Sequence, residues 1–353
     1  MRQLNYIDTR QLEWRNIPAP VIEDDHSVIV RPLTVATCDM DGVVIQGLLK
    51  LRGPTPIGHE GEGVITEIGE SVSRFKVGDR VIMPWKIACG SCKSCGRNHQ
   101  AQCLSVPPED AFSWGPGAPD RGGFISDAVR VPYADSMLTL LPPDVDPLLA
   151  CGVADNISDG WRAVVPHLKE RPGGRVLVVG MAPPGSIGLY AAGFAVAQGS
   201  ERVVYADVDP KRLAIAEAMG AEAMALDTAK LAAFATDKRS LSGGFDITVD
   251  GAGAAPLVPA LLAATARGGV CVSTAGIMYR GNPIPMDVYD MYRKSASFHT
   301  GWVHTQAIID EPLEMIRSGR FDPSPVTTRV VPWEEADDAL AEPFTKLLIS
   351  RPE

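Results

Sequence analysis

Four of the seven cysteines, Cys89, Cys92, Cys95 and Cys103, fall within fifteen residues, with two, two and seven residues between them. Four thiolates on one loop can close a tetrahedral zinc site with no position left open, so such a site braces the loop instead of binding substrate. An iron–sulfur cluster, or a zinc-ribbon module that binds a partner, would draw on the same residue types. A disulfide framework suits the chain less. The N-terminal MRQLNYIDTRQLEWR is too charged for a signal peptide, so the expected compartment is the reducing cytoplasm. Cys38, Cys151 and Cys271 are scattered.

A second constellation is Gly58-His59-Glu60-Gly61-Glu62-Gly63, whose first glycine follows Cys38 by twenty residues. Taken alone, His59 reads as an ordinary hydrogen-bonded side chain. A third is the turn holding Gly180, Gly185, Ser186, Ile187 and Gly188 between an apolar strand and an apolar helix. The N–H groups and dipole at such a helix start attract a phosphate. Its outer glycines stand eight apart where G-x-G-x-x-G has five, with Met181, Ala182, Pro183 and Pro184 lengthening the turn. Asp207 ends the next strand 19 residues after Gly188 and is placed to accept hydrogen bonds from an adenosine ribose, with Arg212 close by in sequence. A carboxylate there repels a 2′-phosphate, so NAD is expected over NADP.

The elements that must position these groups differ between the two halves. Segments 26–35, 62–68 and 79–83 are short β-rich runs divided by Gly, Pro and polar turns. From about residue 150, strands at 175–180, 202–207, 245–251 and 268–276 alternate with helices at 186–199, 209–221 and 254–266. Asp209 is set to cap the second of these helices, with Pro210 in its first turn. Near-continuous apolar strands alternating with helices predict a doubly wound parallel sheet, hence an α/β fold. A helix over 305–319 and a strand over 327–333 close the sequence.

A length of 353 residues suits two domains. With 33 Lys and Arg against 43 Asp and Glu, the net charge is −10, which argues against a nucleic-acid or anionic-membrane surface. No apolar run approaches the roughly 18 residues of a membrane span.

Taken in order, Cys38, the GHE segment, GDRV at 78–81, the four-cysteine loop, the βαβ unit and the closing GWVHTQ…SGRFDP stretch resemble the zinc-dependent medium-chain alcohol dehydrogenases over nearly the whole chain. The resemblance implies a GroES-like β-rich catalytic domain at 1–152 and 297–353 and a Rossmann cofactor domain at 153–296. It implies two zinc ions per chain, one catalytic and one structural, together with NAD, a small alcohol, aldehyde or ketone as substrate, and a homodimer or homotetramer.

Cys38 and His59 match the first two catalytic zinc ligands of that family. Two residues resemble the third. Cys151, followed by Gly152, is similar to the ligand of the dimeric liver-type enzymes. Asp155, five residues before Gly160-Trp161, is similar to that of tetrameric bacterial secondary alcohol dehydrogenases, and register favours it. Glu60 resembles a carboxylate that can enter as a further ligand, and Asp41 one that supports the ligand histidine. Met40 stands where the family carries the Ser or Thr that passes the substrate's proton outward, and methionine has no exchangeable proton. Met40 and Trp85 would form an apolar wall if both face the substrate, or else pack in the core. A polyol or sugar dehydrogenase is the nearest alternative, and a non-enzymatic member the more distant one.

Overall fold

The computed structural model describes residues 1–115, 117–180, 184–234 and 244–352. Met181, Ala182 and Pro183 of the lengthened glycine turn therefore lie outside the described residues. The chain forms two compact units, Met1–Ser158 with Val303–Glu353, and Asp159–Trp302.

In the first unit, β-branched runs build a mostly antiparallel sheet. The strand Val28–Ala36 pairs with Glu60–Ile68 on one side and with Leu347–Ser350 on the other. Glu60–Ile68 pairs in turn with Arg80–Met83. The register sets Ala36 opposite both Glu60 and Leu348, so three segments distant in sequence end at one place. The core beneath is apolar and closed, with Leu4, Val30, Val35, Ile65, Val81 and Phe124 each fully buried.

The second unit has a six-stranded sheet among the described residues, in spatial order Glu222–Ala225, Val203–Asp207, Val176–Val179, Phe245–Asp250, Thr265–Ser273 and Ser297–Thr300. All its pairings are parallel. Numbered along the chain, this is the order 3-2-1-4-5-6 of a dinucleotide fold, whose ligand crevice lies beyond the strand C-termini where the order reverses. Val176–Val179 is buried at every position, as a strand covered on both faces requires.

The units change a few residues after the positions expected from the sequence, at 158/159 instead of 152/153 and at 302/303 instead of 296/297. At the first joint, Asn156 Nδ2 donates to Asp39 Oδ1 at 3.4 Å and Ser158 Oγ to Val153 O at 2.6 Å, which ties these residues to the first unit. At the second, Ser297–Thr300 pairs with Thr265–Ser273 and so completes the parallel sheet. Two helices fall short of expectation. Residues 305–319 form Thr305–Ile308 and Asp310–Arg317 instead of one helix, and 254–266 yields Leu257–Ala264, because Thr265 opens the next strand opposite Phe245. Among the described residues no helix is long and apolar enough to cross a membrane.

Candidate metal centres and dinucleotide turn

Cys38 and His59 lie just beyond the paired ends of two antiparallel strands, since Ala36 is registered opposite Glu60. That register closes the gap between them. Cys38 leaves its strand in extended backbone and caps the helix Asp39–Ile45. Its N–H donates to Asp41 Oδ2 at 2.9 Å, and its Sγ accepts from Met40 N at 3.5 Å. Asp155 follows the short 3₁₀ turn Cys151–Ala154, where its N–H donates to Gly152 O at 3.3 Å. One donor atom each from Cys38, His59 and Asp155 lies within 4.8 Å of the other two, and all three residues are buried.

His59 presents Nε2 toward Asp155 Oδ2 and Nδ1 toward Asp41 Oδ1, each at 3.6 Å. Burial alone would lower the imidazole pKa, but Asp41 and Asp155 outweigh it and hold it at about 9. Burial, reinforced by Asp155 and Asp41, pushes the Cys38 thiol well above its usual range. Such a set of sulfur, nitrogen and carboxylate donors crowded together in a buried place is the environment a divalent cation relieves, because the ion's own charge inverts the local acid–base preferences. The donor types and their number suit a zinc ion with one position left open.

Glu60 is fully buried, and burial, with Asp155 adding, raises its pKa to about 8 against the pull of Lys346. Its Oε1 pairs with Lys346 Nζ at 2.8 Å, while Oε2 is buried without a hydrogen-bond partner. Lys346 Nζ also donates to Thr37 O at 2.6 Å. Sequence reasoning passed over this lysine. In FTKLLIS it reads as a solvated charge before an apolar strand, and only the register of Leu347–Ser350 against Val28–Ala36 brings it inside. Lys346→Met is expected to destabilise the zinc-loaded protein by about 3–5 kcal/mol in urea unfolding, because it leaves a buried carboxylate unpaired. The double variant Lys346→Met with Glu60→Gln should recover most of that loss.

Among the described residues Cys151 belongs to neither metal-ligand group. It is buried, with its Sγ 3.8 Å from Leu148 O. Met40 is half-buried and packs against the core of the first unit, while Trp85 is buried with Lys86 Nζ 5.9 Å from its ring.

The four sulfurs of Cys89, Cys92, Cys95 and Cys103 likewise gather within 4.8 Å. Cys92 and Cys103 Sγ stand 4.0 Å apart, about twice a disulfide bond length. Backbone N–H groups converge on the sulfurs. Cys92 N donates to Cys89 Sγ at 3.3 Å, Cys89 N to Cys103 Sγ at 3.4 Å and Leu104 N to Cys92 Sγ at 3.4 Å. Burial would raise the Cys89 thiol, but hydrogen bonds involving Ser105, Ser91 and Cys92 bring it down to about 6. Hydrogen bonds also bring the Cys92 thiol down, whereas burial and the neighbouring thiols push Cys95 up. Four crowded sulfur donors of this kind are suited to zinc.

In the second unit, Gly185 adopts φ +81° as N-cap of the helix Ser186–Ala197 and contributes no side-chain acceptor to its first turn. Ser186 and Gly188 are buried within that helix, with Ile187 half-buried between them. A helix start of this kind attracts a phosphate.

Asp207, expected to face a ribose, is paired within the protein. It is fully buried, and its carboxylate already accepts from Arg212 Nε at 2.8 Å, Arg212 NH2 at 2.6 Å, Tyr205 Oη at 2.7 Å and Asp209 N at 2.9 Å. Burial alone would raise its pKa, but these partners hold it below the usual carboxylate range. Arg212, itself buried, is likewise committed, donating further to Asp209 Oδ2 at 3.2 Å. Tyr205 gave no signal in the sequence, because an aromatic residue in an apolar strand reads as core.

Comparison with known proteins places the molecule. The family model for the alcohol dehydrogenase GroES-like domain matches residues 24–143, and that for zinc-binding dehydrogenases matches residues 186–318. The chain belongs to the zinc-type medium-chain alcohol dehydrogenase family. Its two units are accordingly the GroES-like and Rossmann-like parts of that family. Among similar family members, a glutathione-independent formaldehyde dehydrogenase of Pseudomonas aeruginosa is 34% identical over 235 residues, which cover 63% of this chain and 57% of that protein. Just over half the length of that relative is therefore matched. A sorbitol dehydrogenase of Bacillus subtilis is 27% identical over 361 residues, covering 94% of this chain and 90% of that one. Among solved structures, an alcohol dehydrogenase from Thermus sp. ATN1 shares the fold with a TM-score of 0.87 at 24% identity, covering 99% of both chains.

Proposed function

We propose that the protein is a zinc-dependent oxidoreductase that interconverts an alcohol with its aldehyde or ketone, using a nicotinamide dinucleotide. The observation that carries this reading is the buried grouping of Cys38, His59 and Asp155 donor atoms within 4.8 Å. A zinc ion there supplies a Lewis acid for the substrate oxygen, and the dinucleotide supplies the hydride acceptor or donor. Cys38 and Asp155 bring two negative charges and His59 none, so the three ligands balance Zn²⁺ and leave a fourth position for substrate. Asp41 faces His59 Nδ1 at 3.6 Å, while Nε2 is turned toward Asp155 and the metal position. Glu60, held by Lys346, keeps a second carboxylate beside the ligands. The first turn of the helix Ser186–Ala197 takes the pyrophosphate. The cysteine loop holds the second, structural zinc.

Met40 cannot carry the substrate proton, so water, a group elsewhere in the protein or a second hydroxyl on the substrate must do so. That requirement supports a second reading, a polyol or sugar dehydrogenase, which the likeness to sorbitol dehydrogenase also favours. Reduced thiols in both clusters suit the cytoplasm. Exposed Val288, Tyr289 and Tyr292 on one helix support a homodimer or homotetramer. A monomer by light scattering would remove that last point.

The reading is tested by assaying zinc-replete protein with aliphatic, benzylic and polyol alcohols. Dinucleotide reduction should depend on zinc. Turnover of none of them by protein that binds both zinc and dinucleotide would favour a non-enzymatic role. Met40→Ser should raise the rate on simple alcohols up to about 10²-fold, the lower end of what a positioned proton carrier contributes, with less effect on polyols. An equal effect on both classes would count against the polyol reading.

A further inference from the structure

The strand Arg2–Asp8 alternates in the usual way, with Leu4 and Tyr6 fully buried in the core, so Gln3 and Asn5 point from its other face. Polar residues on that face ordinarily meet water, yet these two are 4% and 6% exposed. Strand pairing sets Arg15 opposite Gln3 and Pro56 opposite Asn5, and residues opposite one another share a face of the sheet. All four line one cavity of about 500 Å³ in the first unit. Its other walls include Pro18, Pro20, Pro54, Pro119 and Arg121.

The most buried groups decide what this cavity can hold. Gln3 Oε1 already accepts from Gly123 N, and Asn5 Oδ1 from Gln3 Nε2, each at 3.4 Å. The buried carboxylate of Asp110 takes Arg121 Nη2 at 2.8 Å and Nε at 3.2 Å. Asn5 Nδ2 and Arg121 Nη1 donate to nothing among the described residues. The side-chain oxygens are engaged and the uncommitted groups are donors, which a ligand oxygen would satisfy. Arg15 is exposed and has no ion-pair partner among the described residues, so it offers a guanidinium fork that matches a carboxylate. Arg130, also in the lining, is paired with Glu23. The carboxylates of Asp120, in the lining, and Glu13, opposite Asn5 but outside it, are exposed to water. Proline rings present apolar faces without an N–H, so the walls receive an apolar body and not a second polar group.

We propose that this cavity binds a small organic carboxylate with an apolar body, its two oxygens held by Asn5 Nδ2 and the guanidinium groups of Arg15 and Arg121. The volume lies within the roughly 300–1,000 Å³ of small-molecule sites. None of these residues belongs to either metal-ligand group, so the proposal does not rest on the oxidoreductase reading.

Calorimetric titration of the zinc-replete full chain with sodium benzoate tests it. Saturable binding with a Kd of about 1 mM or tighter is expected. Arg15→Ser changes an exposed residue and should weaken that binding by about tenfold or more, as should Asn5→Leu. Benzoate taken up by a zinc ion would ignore both changes, so an unchanged Kd in Arg15→Ser overturns the proposal. Absence of saturation up to about 20 mM overturns it as well. Inorganic phosphate should bind at least about tenfold more weakly than benzoate, because it leaves the proline walls uncovered. Equal affinity would mean that charge alone is recognised, and would also overturn the proposal. Arg15→Ser decides the matter if Asn5→Leu does not fold.

Discussion

Asp155→Ala is expected to reduce bound zinc from two ions per chain to one and to abolish turnover, while Cys151→Ala keeps both ions. The three-residue cluster depends on Asp155 for its second negative charge, and Cys151 lies outside it. Even groups that touch a ligand only indirectly alter metal affinity by about 10- to 100-fold, so loss of a ligand should weaken the site by at least about 10²-fold. Elemental analysis after dialysis against a weak chelator reads the result. The four-cysteine site should stay loaded in Asp155→Ala, so the comparison separates local ligand loss from unfolding. Two ions retained in Asp155→Ala, or one lost in Cys151→Ala, would reverse the assignment of the third ligand.

The second large effect is expected at the cysteine loop. Cys103→Ser should release the other zinc and lower the melting temperature, while the Cys38–His59–Asp155 group keeps its ion. Residues 89–103 contain only the 3₁₀ turns Cys95–Arg97 and Gln100–Gln102, so an ion held by the four sulfurs would be their main crosslink. Structural zinc contributes on the order of 10 kcal/mol to small finger peptides. A third of that would lower the Tm of a unit this size by about 10 °C. Calorimetry of the zinc-loaded variant against wild type measures the shift. An unchanged Tm with one ion lost would mean that the loop holds its shape by its own N–H···S bonds.

How much of this was legible in advance depended on the range of the interaction. The gathering of the four cysteine sulfurs was readable because these residues are close in sequence and their chemistry is carried by residue type alone. The parallel sheet was readable because strand and helix periodicities are local and both sheet faces are buried, giving Val176–Val179 its unbroken apolar run. Asp209 and Pro210 marked the start of their helix for the same reason, since a cap acts within one turn.

Other features arise from register and burial, which a linear reading does not contain. The pairing of Ala36 with both Glu60 and Leu348 brings Cys38, His59 and Lys346 to one place from the start and the end of the chain. The choice between Cys151 and Asp155 as neighbour of Cys38 was made by the 3₁₀ turn Cys151–Ala154, four residues whose conformation no periodicity announces. Asp207 stands at the end of its strand as expected from sequence, but its partners Tyr205 and Arg212 are set by side-chain direction and packing. The sequence by itself determined which chemistry the chain can hold, since that follows from residue types and local spacing. Only the tertiary structure decided which of those groups are brought together and which are already occupied, because long-range strand register and the desolvation of buried charges exist only in the folded state.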